Sequence, residues 1–116
     1  MNKILVEVSV GELLDKISIL EIKSEKIKDI KKLKFINDEH AILKSQLDQN
    51  VKSDDEIDKL FHSLKDINAK LWVIEDDKRM CEKNSDFTIN FIKLSRDVHF
   101  LNDERAKIKL EINVHT

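Results

Sequence analysis

The chain contains no proline and one glycine, Gly11. These residue types make most tight turns, proline by presetting φ and glycine by accepting positive φ. A β sandwich or barrel needs such a turn roughly every ten residues. A chain of 116 residues with no proline and a single glycine is expected to be all-α. The charged fraction of 38% is well above the usual quarter. Charges spaced through apolar positions read as long helices with solvated faces. The length points to a single helical domain over residues 1–116.

Several classes are excluded on simple grounds. No apolar run is longer than Leu71 to Ile74, so no membrane span is expected. Glu7 interrupts the only apolar start, against a secretory leader. Cys81 is the lone cysteine, so neither a disulfide framework nor a cysteine zinc cluster can form. The net charge is −2, which argues against nucleic acid as a partner. A soluble, cytoplasmic chain is the expectation.

Along the chain, Ile4, Val6, Val8 and Val10 alternate with other residues at period two. That is a short β-strand pattern or an extended arm. A strand there must pair with a second copy, with Ile112 to Val114, or with a partner protein. Ser9 and Glu12 then form a capping box, with Val8 and Leu13 at the staple positions. The repeat Leu13, Ile17, Leu20, Ser24, Ile27 predicts a helix ending near Ile30. Asp29 is placed to cap a second helix through Leu33, Ile36, His40, Leu43 and Leu47. Asp48 to Asp55 reads as a linker, and Ser53 with Glu56 as a second capping box.

A third helix is predicted over Asp54 to Lys83, with Ile57, Leu60, Leu64, Ile67, Leu71, Ile74 and Cys81 on a 3–4, coiled-coil-like seam. Asn84-Ser85 reads as a tight turn, with Ser85 or Asp86 capping the fourth helix. That helix repeats Phe87, Phe91, Leu94, Val98, Leu101, Arg105, Ile108, Ile112. Matching seams across a short turn predict a long antiparallel hairpin. Counting outward from the turn sets Ile74 near Leu94, Leu71 near Val98 and Leu64 near Arg105. A second stripe (Phe61, Trp72, Ile92, Phe100) leaves apolar surface to be covered, and a homodimer or another protein partner is expected to cover it.

The chain lacks the residue signatures of several known helical chemistries. Di-iron bundles need Glu-x-x-His steps, and no histidine here has glutamate three places before it. Magnesium pyrophosphohydrolases need paired acidic steps to converge on a hard cation. The chain has no Glu-x-x-Glu step and one Glu-x-x-Asp step, Glu12 to Asp15, which also suits an ordinary helix N-terminus. Chorismate-mutase-like bundles need an early arginine clamp, and no arginine precedes Arg79. Asp58, His62 and Asp66 share a face that reads as solvated surface. No catalytic residue, metal site or cofactor is assigned.

The polar groups worth keeping involve the three arginines. Arginine is rare beside 18 lysines, and its planar fork suits carboxylate recognition. Glu75, Asp76 and Arg79 lie within one turn of helix three. Arg96, Asn102, Asp103 and Arg105 lie on helix four, with Arg96 near the level of Glu75. Arg105 occupies a seam place otherwise filled by apolar residues. A guanidinium there needs an acid, from Glu12, Asp15 or Glu21. Two readings follow: an anion or carboxylate pocket on Arg79, Arg96 and Arg105, or an ion-pair network that fixes helix register.

Three stretches carry a resemblance: Val8 to Lys16 followed by Ile19 to Lys23, Leu71-Trp72 through Glu75-Asp76 to Arg79, and Asn102 to Ala106. Together they resemble an uncharacterised family of small bacterial proteins, catalogued as a domain of unknown function. The resemblance covers nearly the whole chain and supplies no reaction. It implies a context of sugar-transfer or surface-polysaccharide proteins. It also implies that Glu12, Asp15, Lys16, Glu21, Trp72, Glu75, Asp76, Arg79, Arg96, Asn102, Asp103 and Arg105 belong to the family pattern. Val10 departs from it, standing where a proline is expected.

The expectation is therefore a helical bundle on a long hairpin, acting as a self-associating, non-enzymatic interaction module. A small-anion-binding or catalytic bundle is the alternative.

Overall fold

The structure is a computed structural model and describes residues 2–116. It is all-helical among the described residues, with four helices in the order α1 (Val10–Lys26), α2 (Ile30–Asn50), α3 (Asp55–Lys83) and α4 (Ile89–His115). None is long and apolar enough to cross a membrane.

Local chemistry sets most helix ends. The Ser9 hydroxyl accepts the Glu12 N–H at 3.1 Å and caps α1. The reciprocal half of the expected capping box is absent, because the Glu12 carboxylate is held by Lys109 at 2.6 Å. Nor does the staple close, since Val8 stays exposed. Helix α1 stops at Lys26, before the expected Ile30, and Ile27 is extended. The cause is Asp29, whose carboxylate accepts the N–H groups of Lys31 and Lys32 and starts α2.

Helix α3 follows its expected span within one residue. Its cap is Asp54, which accepts the Ile57 N–H at 2.8 Å, in place of the expected Ser53. A full charge at the positive end of the helix dipole outcompetes a hydroxyl. The Ser53 hydroxyl donates instead to Asp58 at 3.2 Å. The Asn84-Ser85 turn forms, with Ser85 at φ 54. Helix α4 starts later than expected, with Thr88 rather than Ser85 or Asp86 at its N-cap. Asp86 accepts the Thr88 N–H at 3.1 Å, a local turn that holds the chain out of the helix.

The late start has a consequence for register. Arg105 meets Asn68 rather than Leu64, and Ile74 shares a groove with Leu101 rather than lying at the level of Leu94. The offset is about one helical turn. It arises because residues 84–88 all lie between the two helices.

Helix α1 packs against each of the other three. Leu14, Ile57, Leu60, Leu64 and Ile112 form the core, with Val10, Leu47, Phe61 and Ile108 against it. This core lies where α1 meets the start of α3 and the end of α4. Helix α2 lies mainly on α1 and buries Ile36. Beyond Leu71 no residue of α3 is fully buried, and α4 fully buries only Ile112. Residues 2–9 form neither helix nor strand and are exposed. The Ile112 to Val114 partner proposed for a strand is helical, so that pairing is not available.

Candidate functional site

A line of polar residues runs along α1 and reaches all three other helices. At its start, Gly11 donates its N–H to the Asn113 side-chain oxygen at 2.7 Å. A Cβ at Gly11 would stand 2.5 Å from the Lys109 carbonyl oxygen, so only glycine allows α1 and α4 this approach. One residue on, Glu12 receives the Lys109 ammonium, which also lies 3.5 Å from Asp15. The contact with Lys109 lowers the Glu12 pKa from its ordinary value.

Asp15, Ser18 and Asn68 are the buried polar residues among the described residues. The Asn68 amide donates to Asp15 at 2.7 Å and to the Ser18 hydroxyl oxygen at 2.8 Å. Ser18 donates to the Asp15 carbonyl at 2.7 Å. On its other side the Asn68 oxygen accepts from Arg105 at 3.1 Å. Arg105 also donates to the Asn102 oxygen at 2.9 Å. Asn68 therefore stands between a carboxylate that accepts from it and a guanidinium that donates to it. Both contacts polarise the amide in the same sense. No buried side-chain polar atom lacks a partner among the described residues.

Two turns further along α1, Glu21 gathers a second group. Its carboxylate lies 3.1 Å from His40 of α2 and 3.2 Å from Lys65 of α3. Lys65 also reaches Glu25 at 3.0 Å. Its pKa is raised, first by the hydrogen bond to Glu25 and then by that to Glu21, against the opposing effect of burial. His40 interrupts the apolar seam of α2 for this purpose. A cavity of about 80 Å³ lies beside this group, with Leu14, Ile17, Leu47 and Phe61 among its walls.

Of the residues singled out in the sequence, Glu12, Asp15, Asn102 and Arg105 are thus gathered into one network. Glu21 lies in the neighbouring group. The others stand apart. Arg79 pairs with Asp76 on its own helix. Arg96 lies over the Phe100 ring, 6.0 Å from its centroid, with no ion pair to Glu75 among the described residues. Asp103 lies 3.6 Å from His99. Trp72 and Glu75 are half-buried on α3. Arg96 lines open grooves on α4 that neither Arg79 nor Arg105 enters.

Sequence reasoning missed Ser18, Asn68 and Lys109. Helical spacing offered a signal for each. Ser18 lies three residues after Asp15, Lys109 four after Arg105, and Asn68 four after the seam residue Leu64.

Apolar surface remains at two places. Ahead of α1, Ile4, Leu5 and Val6 are 85%, 98% and 73% exposed. On the distal part of α3 and α4, Val73, Ile92 and Phe100 are each just over half exposed. An open groove there is lined by Ala69, Val73, Ile74, Phe100 and Leu101.

Among curated proteins and solved structures, none matches the chain. Residues 4–116 match the model of a family of unknown function, DUF6165, and the chain belongs to that family over almost its whole length.

Proposed function

We propose that this chain is a non-enzymatic assembly module that associates with itself, built on an antiparallel hairpin of α3 and α4. The hairpin is supported by pairings that step in opposite directions along the two helices. His115 meets Asp54, Arg105 meets Asn68, and Leu101 shares a groove with Ile74. Residues 2–9 act as an extended arm rather than as part of the core.

One contrast carries the assembly role. The polar network is satisfied from within, while large apolar side chains stay exposed on the arm and on the distal helices. A saturated network holds helices in place. Exposed apolar surface of this extent marks a contact with another chain.

A second reading, an anion-binding bundle, draws on one observation. Arg105 is held by amide oxygens instead of carboxylates. Against it, the cations Arg105 and Lys109 share a network with the acids Glu12 and Asp15, which balance them. The Arg105 charge therefore has its counterpart inside the protein.

Light scattering after size exclusion, over a wide range of concentration, tests the proposal. The expected result is a mass that rises toward twice the 13.6 kDa of one chain. A mass that stays at one chain throughout rejects self-association.

A further inference from the structure

The geometry points to the distal face of α3 and α4 as the surface on which a second copy of this chain docks, closing two hairpins into one four-helix unit. This rests on the self-association proposed above and names where it happens.

Three observations converge on that face. First, the two helices run on past the core with no third helix over them. Beyond Leu71 in α3 and before Ile112 in α4, no side chain is fully buried. Their facing seams bury one stripe of each helix only. A second stripe of exposed Val73 and Met80 on α3 continues into exposed Ile92 and Phe100 on α4. Helix pairs with an apolar second face reach a dry core by stacking on another pair.

Second, the face is of the right size. From Ala69 to Lys83 it is about 21 Å long, at 1.5 Å per residue. Two helices roughly 10 Å apart make it about 20 Å wide. Corrugated by side chains, it offers about 600 Å² per copy, at the lower edge of specific interfaces.

Third, the charges at its rim are mixed in sign. Lys70, Lys93 and Arg96 stand beside Asp77 and Asp97. A polyanion or an anionic membrane selects a rim of one sign. A face that meets its own copy has to complement itself, and a rim of mixed sign allows it. The arm lacks this fit. An extended segment offers unpaired backbone groups, for which a helical face has no partners.

The test compares the dimer constant of three proteins by sedimentation: wild type, Val73→Glu/Phe100→Glu, and a chain lacking residues 2–8. Both substituted side chains are exposed, and circular dichroism melting checks the fold. The expected result is a dimer weakened at least tenfold by the double substitution and left within about twofold by the truncation. A dimer lost on truncation but kept by Val73→Glu/Phe100→Glu overturns the distal face and leaves self-association standing. A wild type that stays monomeric overturns both. Spin labels give a reading that does not depend on disrupting the face. With Cys81→Ser and Asn84→Cys, a label sits in the turn between the helices. Stacked faces hold two such labels within the 48 Å length of one molecule. A longer distance overturns the proposal.

Discussion

Gly11 has no side chain, and two helices meet in the space this leaves. Gly11→Ala puts a methyl group 2.5 Å from the Lys109 carbonyl oxygen, which belongs to backbone and cannot swing aside. Helices α1 and α4 then have to separate. The expected cost is about 1–3 kcal/mol, the range for overpacking a close contact. Urea unfolding measures it, and an unchanged midpoint would mean that α4 shifts freely. Asn68 is the other single residue on which much depends. It donates two hydrogen bonds to buried groups of α1 and accepts one from Arg105 of α4. Asn68→Leu leaves Asp15, only 5% exposed, short of a donor. A loss of ~2–4 kcal/mol is expected, since a buried carboxylate without its partner is penalised more than its hydrogen bond is worth. A loss under about 0.5 kcal/mol, typical of surface changes, would place Asp15 in contact with water.

At the level of elements, α1 is held to α4 by a clasp that depends on pH. Lys109 donates to Glu12 and lowers its pKa, so the folded chain holds that proton more weakly than the unfolded chain. Stability from this pair is complete above the ordinary glutamate range and is lost as pH falls through the folded value. Lys109→Met removes the clasp. The variant is expected to be less stable than wild type near neutral pH, and the gap should narrow below about pH 4. Chemical unfolding at several pH values follows the gap, and a constant difference would exclude Glu12 as its source. The helices also differ in how firmly their two ends are held. Amide exchange is expected to be slow for α3 up to Leu71 and faster beyond it, because local opening exposes less buried apolar surface there. Uniform protection along α3 at low protein concentration would contradict this.

For the whole molecule, the proposed self-association makes concentration a variable of stability. A chain that pairs through its distal helices gains stability by mass action, so its Tm rises with protein concentration. Val73→Glu/Phe100→Glu is expected to melt at one temperature whatever the concentration. Calorimetry over a hundredfold range of concentration distinguishes the two cases. A wild-type Tm independent of concentration would mean that the monomer is the whole folding unit.

The all-helical class, the span of α3 and the caps at Ser9 and Asp29 could be read from the chain because their causes are local. The absence of proline acts at each residue, apolar spacing acts within two turns, and a cap acts over three residues. The same local view identified Arg105 as a misfit on an apolar seam. It did not identify the neighbour that accommodates it. That neighbour depends on where α4 starts, and the short Asp86 turn delays the start and offsets the register by about a helical turn. Asn68 rather than Leu64 then faces Arg105, and Lys109 rather than Arg105 takes the carboxylates of Glu12 and Asp15. Helical periodicity by itself thus determined which faces are apolar and where a polar group is out of place. Which polar groups meet follows from how the helices pack, because a hydrogen bond between helices is set by their relative register to within about an ångström, far finer than the spacing of one turn.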